Sequence, residues 1–270
     1  RVRGGGDGPP FLQEIVGSQL DADRLDYILR DGHMTGVRIG AYDLARILAM
    51  LDVVDGHLGI HQGGQAAVEG YLLARFHMYQ QVYLHKTSRA AERMLEAALS
   101  RAVALRRRGD GPGWWPEAPL GAVLQGETAG PLAFATLDDV DVWHAIKRWA
   151  GDSDPGLSAL SDGLIRRRLY KTRALPVDDE AAATRQVDSL RERAVQEGMD
   201  PEQHVLVDES RDSPYHPYTG VGTDARSIRL ITSSGAARPI EERSAVVGML
   251  GKLEHRQRLV CLHPDLAARV

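Results

Sequence analysis

The most informative stretch of this chain runs from Ser18 to Met34 and reads SQLDADRLDYILRDGHM. Ser18 is followed three residues later by Asp21, which is close to a capping-box pattern and predicts a helix over about 18–31. The apolar residues that can form its buried face are Leu20, Leu25, Ile28 and Leu29. The segment is therefore expected to be an amphipathic helix with a strongly charged outer face.

The outer face of this predicted helix carries an ordered stripe of polar side chains. Asp23, Tyr27 and Asp31 fall at positions i, i+4 and i+8, so they line up along one side of the helix. Two carboxylates and a phenol in one line suit a site for a metal ion and a polar ligand. The same pattern also fits carboxylates that are only solvated on an exposed face.

A second segment, ARFHMYQQVYLHK over residues 74–86, places a cation and two aromatic rings at helical spacing. Arg75, Tyr79 and Tyr83 share a face of the predicted helix, and Lys86 returns to nearly the same angle. The rise from Arg75 to Tyr83 is roughly 12 Å, comparable to a nucleoside triphosphate laid along the helix. An ordinary core helix with two buried tyrosines and a snorkelling arginine has the same spacing.

Together the two segments resemble the HD-superfamily phosphohydrolases. The resemblance is specifically to the deoxynucleoside triphosphate triphosphohydrolases, which include the SAM- and HD-domain enzymes and their bacterial relatives. It covers residues 9–175 strongly and the tail only loosely. It implies hydrolysis of a deoxynucleoside triphosphate (dNTP) to the deoxynucleoside and inorganic triphosphate, with attack by metal-bound water or hydroxide on the α-phosphorus.

The resemblance assigns a role to each polar residue of the first segment. Asp23 is the last metal ligand of a His…His-Asp…Asp set, and Arg24 stands where many relatives carry a phosphate-binding lysine. Tyr27 flanks the sugar. Asp31 accepts a hydrogen bond from the sugar 3′-hydroxyl.

The second segment is assigned the phosphate and sugar contacts. Arg75 grips the distal phosphates, and Tyr83 packs on the sugar where a 2′-hydroxyl would protrude, which favours deoxyribose. Tyr79 replaces a histidine of some relatives, so its role is less defined. The apolar Leu84 stands where a polar residue can read the base, and it points to weak base discrimination.

A basic string, RRRLYK over residues 166–171, has two interpretations. As a bare charge cluster it is typical of a solvated helix end. In the SAM- and HD-domain relatives a similar string helps to bind a regulatory nucleotide between subunits. By that resemblance Arg167 and Lys171 are candidate contacts to an allosteric nucleotide, and a homo-oligomer is expected.

The motif that supplies most of the metal ligands in this family does not occur in the chain. There is no His-Asp dipeptide, and none of the ten histidines precedes Asp23. We therefore expect a C-terminal piece of a longer protein, inactive alone, with a natural truncation as the alternative. The implied cofactor is a divalent ion, with magnesium, manganese, iron and zinc all open. His57 and His61 lie among glycines and are predicted to lie in a loop rather than to form a replacement metal pair.

Composition limits the class of protein. Of 270 residues, 43% are hydrophobic and 26% are charged, as in a globular protein, and the net charge of −4 gives no general reason to bind nucleic acid. No apolar run reaches the ~18 residues of a membrane span, and no membrane partner is expected. The single Cys261 cannot form an intrachain disulfide and fits a reducing cytosol, so a cytoplasmic protein is expected.

Periodicity predicts a mainly α fold. Helices are expected near 41–54, 65–108 (one helix, or two with a break near His85), 137–149 and 155–170, with a loop over 109–131. In the tail we expect helices near 179–197 and 240–254 and strands near 205–207, 227–231 and 258–262. The predicted domains are residues 1–175, the C-terminal portion of an HD helical core, and residues 176–270, a small α+β lobe.

Two other functions stay open at this point. One is an HD enzyme that acts on another nucleotide phosphoester. The other is a catalytically inactive scaffold that binds nucleotides or nucleic acid, supported only by the basic clusters at 106–108 and 166–168.

Overall fold

The computed structural model describes residues 8–216 and 227–270. In chain order its helices are α1 (Pro10–Gly17), α2 (Ala22–Thr35), α3 (Leu44–Met50), α4 (Gln65–Met78), α5 (Lys86–Arg108), α6 (Leu120–Gln125), α7 (Pro131–Phe134), α8 (Asp139–Trp149), α9 (Pro155–Ile165), α10 (Glu180–Gln196), α11 (Pro201–His204), α12 (Ala245–Leu250) and α13 (Pro264–Ala267). The strands are β1 (Leu51–Val54), β2 (His57–His61), β3 (Lys171–Ala174), β4 (Val205–Asp212), β5 (Arg229–Ile231), β6 (Ala237–Pro239) and β7 (His255–Leu262). The predicted class, mainly helical with a small sheet region, is confirmed.

The described residues fall into two compact units. The first contains the residues up to His85 and those between Arg211 and Arg256, and the second contains Lys86–Ser210 and Gln257–Val270. These breaks do not coincide with the domain boundary expected near residue 175. The difference arises because strands of the tail join sheets that begin earlier in the chain.

Two small sheets accommodate these strands. In the first unit the order is β1-β2-β5-β6, with β1 and β2 antiparallel and β2 and β5 parallel. The second sheet has the order β3-β7-β4, and β3 runs antiparallel to β7. The predicted tail strands are present, and β4 is longer than expected. The sequence also predicts a loop that contains Pro214, Pro217, Gly220 and Gly222; Pro214 lies in a bend, and the other three lie outside the described residues.

Helix α2 begins later than the sequence pattern suggested. Asp21, rather than Ser18, is the N-cap, and its carboxylate accepts a hydrogen bond from the backbone N–H of Arg24 at 2.7 Å. Ser18 Oγ instead accepts from the N–H of Leu20 at 3.1 Å, so a tight turn precedes the helix. Leu25 and Ile28 are buried and Asp23 is exposed, whereas Tyr27 and Asp31 are half-buried.

The helix expected over 41–54 is present but shorter, and the loop expected around His57 and His61 is wrong because both histidines lie in strand β2. Helix α3 ends at Met50, and a β-hairpin follows, because Asp55 (φ 52°) and Gly56 (φ 78°) form the two-residue turn that favours hairpins. His57 and His61 are four positions apart along β2, roughly 13 Å, which is too far for one metal ion.

The long segment over 65–108 is two helices, one of the two expected alternatives. Helix α4 ends at Met78, a π-helical turn spans Tyr79–Tyr83, and α5 begins at Lys86. Such turns are rare and occur frequently at functional sites. The break interrupts the regular rotation that would return Lys86 to the face of Arg75.

The second unit is built on a helical core. Met94, Ala98, Trp149 and Leu160 are buried in one cluster from α5, α8 and α9. The loop expected over 109–131 contains the short α6, and the carbonyl of Trp114 accepts from Trp149 Nε1 at 2.9 Å. The predicted helices 155–170 and 240–254 are shorter than expected: the first ends at Ile165. The second is a 3-10 turn (Ile240–Glu242) followed by α12, because Ser244 caps a new helix start.

None of the helices in the described parts of the chain has the length and apolarity needed to cross a membrane.

Candidate nucleotide-binding site

Three tyrosines of the first unit form one aromatic group, called here the tyrosine cluster: Tyr27, Tyr79 and Tyr83. The rings of Tyr79 and Tyr83 meet edge to face with centroids 5.0 Å apart, and those of Tyr27 and Tyr83 are 5.9 Å apart. The hydroxyl oxygens of Tyr27 and Tyr79 are 3.5 Å apart, the long limit of a hydrogen bond. Helix α2 and the π-helical turn therefore bring the two predicted segments together.

At one end of the tyrosine cluster lies Asp31. The hydroxyl of Tyr83 donates a hydrogen bond to Asp31 Oδ2 at 2.7 Å. Burial and this hydrogen bond raise the pKa of Tyr83 well above its ordinary value, so the phenol stays protonated and acts as the donor. Asp31 is half-buried, and its Oδ1 makes no hydrogen bond with the described residues. That oxygen can accept a hydrogen bond from a hydroxyl of a ligand.

At the other end lies Arg75, which is only 9% exposed. Its Cζ is 4.4 Å from the centre of the Tyr79 ring, a cation–π distance. Its guanidinium donates to Asp212 Oδ1 at 3.1 Å and to the carbonyl oxygens of Ser213 and Pro214 at 3.1 and 2.7 Å. The predicted phosphate-binding arginine is thus fixed in the first unit, beside the tyrosine cluster.

Asp212, Ser213 and Pro214 are functional candidates that sequence analysis missed. They follow the predicted strand 205–207 in a segment that reads as a turn, and no spacing links them to Arg75, 137 residues away from Asp212. A buried arginine needs hydrogen-bond acceptors, so the sequence could indicate that Arg75 has partners. No motif in the sequence identifies which residues they are.

The remaining residues of the first segment are less enclosed. Arg24 donates from Nη1 to Asp21 Oδ2 at 2.5 Å and to the carbonyl of Ser18, so its guanidinium folds back over the start of α2. Asp23 is exposed, whereas Leu84 is buried at 8% exposure.

The described residues do not by themselves form a metal site. Within residues 8–216 and 227–270 there is no group of three or more His, Cys, Asp or Glu side chains that could hold a metal ion. Asp23 provides a single carboxylate. These residues therefore do not complete a ligand shell for the divalent ion that the family resemblance implies.

The other predicted nucleotide contacts lie in the second unit. Lys86, Arg167 and Lys171 line a cleft of about 710 Å³, and none of the three forms an ion pair with a described residue. Arg168, also in the cleft, pairs with Asp162. Arg167 has a positive φ of 55°, unusual for a residue with a side chain. Three unpaired cations around one cleft suit an anionic ligand.

Comparisons with known proteins first indicate the class of protein that this chain resembles. Residues 42–109, which include Arg75 and two members of the tyrosine cluster, match the family described as the HD associated region. A solved structure of a phosphohydrolase from Bacteroides thetaiotaomicron is 33% identical, with a TM-score of 0.75, and the match covers 93% of this chain and 63% of that one. The chain is thus similar to an HD associated region and to a solved phosphohydrolase.

Particular relatives follow. The uncharacterized protein YwfO of Bacillus subtilis is 30% identical over 269 residues, 95% of this chain and 60% of its own length. A hypothetical protein from Aquifex aeolicus shares the fold at 20% identity, with a TM-score of 0.62, over 96% of this chain and 58% of that one. The chain thus spans about 60% of the length of these relatives.

Proposed function

We propose that the whole protein hydrolyses dNTPs to deoxynucleosides and inorganic triphosphate, and that this chain binds the sugar and phosphates. One observation carries the proposal. An unbroken series of contacts runs from the Asp31 carboxylate through Tyr83 and Tyr79 to the Arg75 guanidinium. Along this series a hydrogen-bond acceptor is followed by an aromatic surface and then by a cation. These groups can bind a sugar hydroxyl, a sugar ring and a phosphate, in that order.

Each residue then has a defined task. Asp31 Oδ1 accepts a hydrogen bond from the 3′-hydroxyl. The hydroxyl of Tyr83 donates to Asp31 Oδ2, which holds the Tyr83 ring against the sugar C2′. Tyr27 closes the other side of the sugar. Arg75 neutralises phosphate charge as it develops in the transition state, which is the main contribution that positioned cations make to phosphoryl chemistry.

The metal contributes a Lewis acid and an activated water in enzymes of this kind, and the resemblance assigns it to Asp23. The described residues do not complete a ligand set for that ion. Arg24 supplies further positive charge near the start of α2. Its guanidinium must leave Asp21 to reach a phosphate.

The test is product analysis with the whole protein. A panel of deoxynucleotides, ribonucleotides and cyclic nucleotides is incubated with magnesium, manganese, iron or zinc, and the phosphate products are separated by ion chromatography. We expect inorganic triphosphate in equal amounts with the deoxynucleoside. Release of diphosphate or monophosphate would instead favour the alternative HD activity on another phosphoester. Salt-dependent binding of oligonucleotide without hydrolysis would favour the scaffold.

A second candidate function is a regulatory nucleotide site. It is favoured by the cleft of the second unit, where Lys86, Arg167 and Lys171 form no ion pair with any described residue. Arg167→Ala and Lys171→Ala are expected to weaken activation by added nucleotide. Arg166→Ala is the matched control, since Arg166 pairs with Asp162 and is not among the cleft residues. Equal loss of activation in all three variants would reject this site. The allosteric nucleotide and the homo-oligomer stay predictions.

A further inference from the structure

Arg75 is held by three acceptors that are consecutive in the chain. Nη1 donates to the carbonyl oxygens of Ser213 and Pro214, and Nη2 donates to Asp212 Oδ1. A guanidinium has further N–H groups on Nε and on Nη2, and these make no hydrogen bond with the described residues. Arg75 is therefore anchored and still has donors to offer.

The orientation of the guanidinium is fixed in a second way by Tyr79. The ring of Tyr79 lies 4.4 Å from Cζ and covers one face of the guanidinium. With acceptors at the edge and a ring on the face, the side chain has lost its rotational freedom before any ligand arrives. An arginine prepared in this way loses little conformational entropy when it binds a phosphate.

The contact with Asp212 could instead compete with a phosphate for the same arginine. Two observations speak against competition. Two of the three acceptors are neutral carbonyl oxygens, which orient the guanidinium without adding negative charge beside it. Asp212 itself uses one oxygen, at 3.1 Å, and does not form the two-pronged pair that would occupy the guanidinium more fully.

We propose that Asp212 is a positioning residue, whose Oδ1 holds Arg75 so that Nε and Nη2 bind one phosphate group of a triphosphate. This inference rests on the proposed function. It adds a residue that acts through Arg75 and does not itself touch the substrate. The property that matters is an acceptor at that place and not the negative charge.

The experiment compares variants of the whole protein that separate acceptor from charge. Asp212→Ala removes both, and Asp212→Asn keeps an acceptor oxygen of similar reach. Glu209→Ala is the control, because Glu209 lies on the same strand and pairs with Arg258 instead. Two quantities are measured: the Kd for inorganic triphosphate, and KM and kcat for a dNTP.

We expect Asp212→Ala to raise the triphosphate Kd and the KM about tenfold, with kcat changed less than about twofold, since a lost hydrogen bond to a charged group is of that size. Asp212→Asn and the Glu209 control should both stay near the wild type. If Asp212→Ala does not fold, Asp212→Glu replaces it. The added methylene moves the acceptor by roughly 1.5 Å and should raise KM severalfold.

Two outcomes would overturn the inference. Tighter triphosphate binding in Asp212→Asn would mean that the carboxylate competes with phosphate. Unchanged Kd in Asp212→Ala (or in Asp212→Glu, if that variant is used) would leave Asp212 with a structural role only. Failure of the proposed function looks different: triphosphate would bind in an Asp212-dependent way while no dNTP is hydrolysed.

Discussion

Strand β4 carries two aspartates, and each pairs with a different arginine. The two pairs differ in the hydrogen-bond donors and acceptors that remain unused. Asp208 is fully buried, and Arg89 donates to both of its oxygens, from Nε at 2.9 Å and from Nη2 at 2.5 Å. Asp212 has a side chain that is 13% exposed and accepts from Arg75 through Oδ1 at 3.1 Å. The first pair is saturated, whereas the second leaves donors on Arg75.

A structural ion pair and a functional one differ in the hydrogen-bonding groups that they leave for a ligand. Asp208 is closed to a ligand because it is fully buried, both of its oxygens accept from Arg89, and Oδ1 also lies 3.4 Å from Nε of Arg93. Arg75 differs because Nε and one N–H of Nη2 make no hydrogen bond with the described residues, while the ring of Tyr79 covers one face of the guanidinium. We infer that Asp208 stabilises the second unit, whereas Asp212 serves the candidate site of the first.

The largest expected effect is on stability. Asp208→Ala should lower the free energy of unfolding by about 3–5 kcal/mol, because it leaves the largely buried Arg89 without its main partner. Asp212→Ala should cost only about 1–2 kcal/mol, since Arg75 keeps two carbonyl acceptors. Urea unfolding measures both values. Equal losses in the two variants would remove the distinction between the pairs.

The next effect concerns sugar selection by Tyr83. Tyr83→Ala should raise the rate with ribonucleotides relative to deoxyribonucleotides by about tenfold, since a lost steric fit is worth on the order of 1–3 kcal/mol. Tyr83→Phe keeps the ring and loses only the bond to Asp31, so the ratio should change little. Ratios of kcat/KM for a matched pair such as dATP and ATP measure this. An unchanged ratio in Tyr83→Ala would indicate that the ring lies away from the sugar.

The smallest effect is a change in the pH dependence of stability at Glu14, a second saturated carboxylate. Burial alone would raise the pKa of Glu14, but hydrogen bonds from His57, the Leu58 N–H and Arg229 outweigh it and hold the pKa below its usual value of 4.5. A lowered pKa stabilises the fold at pH above the unfolded value, and this stabilisation is lost as the pH falls through the folded value.

Removing this carboxylate should therefore flatten the acid side of the stability profile. Glu14→Gln is expected to be less stable than wild type at pH 7, and the difference should shrink below pH 4.5. Denaturant unfolding at several pH values measures it, with the exposed Asp26→Asn as control. A gap between wild type and Glu14→Gln that stays constant down to pH 3 would contradict the assignment.

The sequence predicted the local arrangement of the site better than its surroundings. The i, i+4 spacing of Tyr79 and Tyr83 survives the change from α- to π-helix, so their rings still meet. The hairpin turn at Asp55 and Gly56 was also readable as a hairpin signal, and the helical pattern of 41–54 concealed it.

What the sequence could not predict depends on long-range contacts. Asp212 reaches Arg75 across 137 positions of the chain, and the tail strands pair with β2 and β3 of the earlier part. Such pairings are set by burial and register between distant segments, which periodicity within one segment does not encode.

The placement of Arg75 in a nucleotide site is tested most directly by comparing two arginines in the whole protein. Arg75→Ala should raise the KM for a dNTP by about tenfold to a hundredfold, because a buried charge-assisted contact to phosphate is worth roughly 1.5–3 kcal/mol. Arg107, exposed near the end of α5, is the control, and Arg107→Ala should leave KM near the wild-type value. Equal effects of the two substitutions on KM would contradict the placement of Arg75 in the nucleotide site.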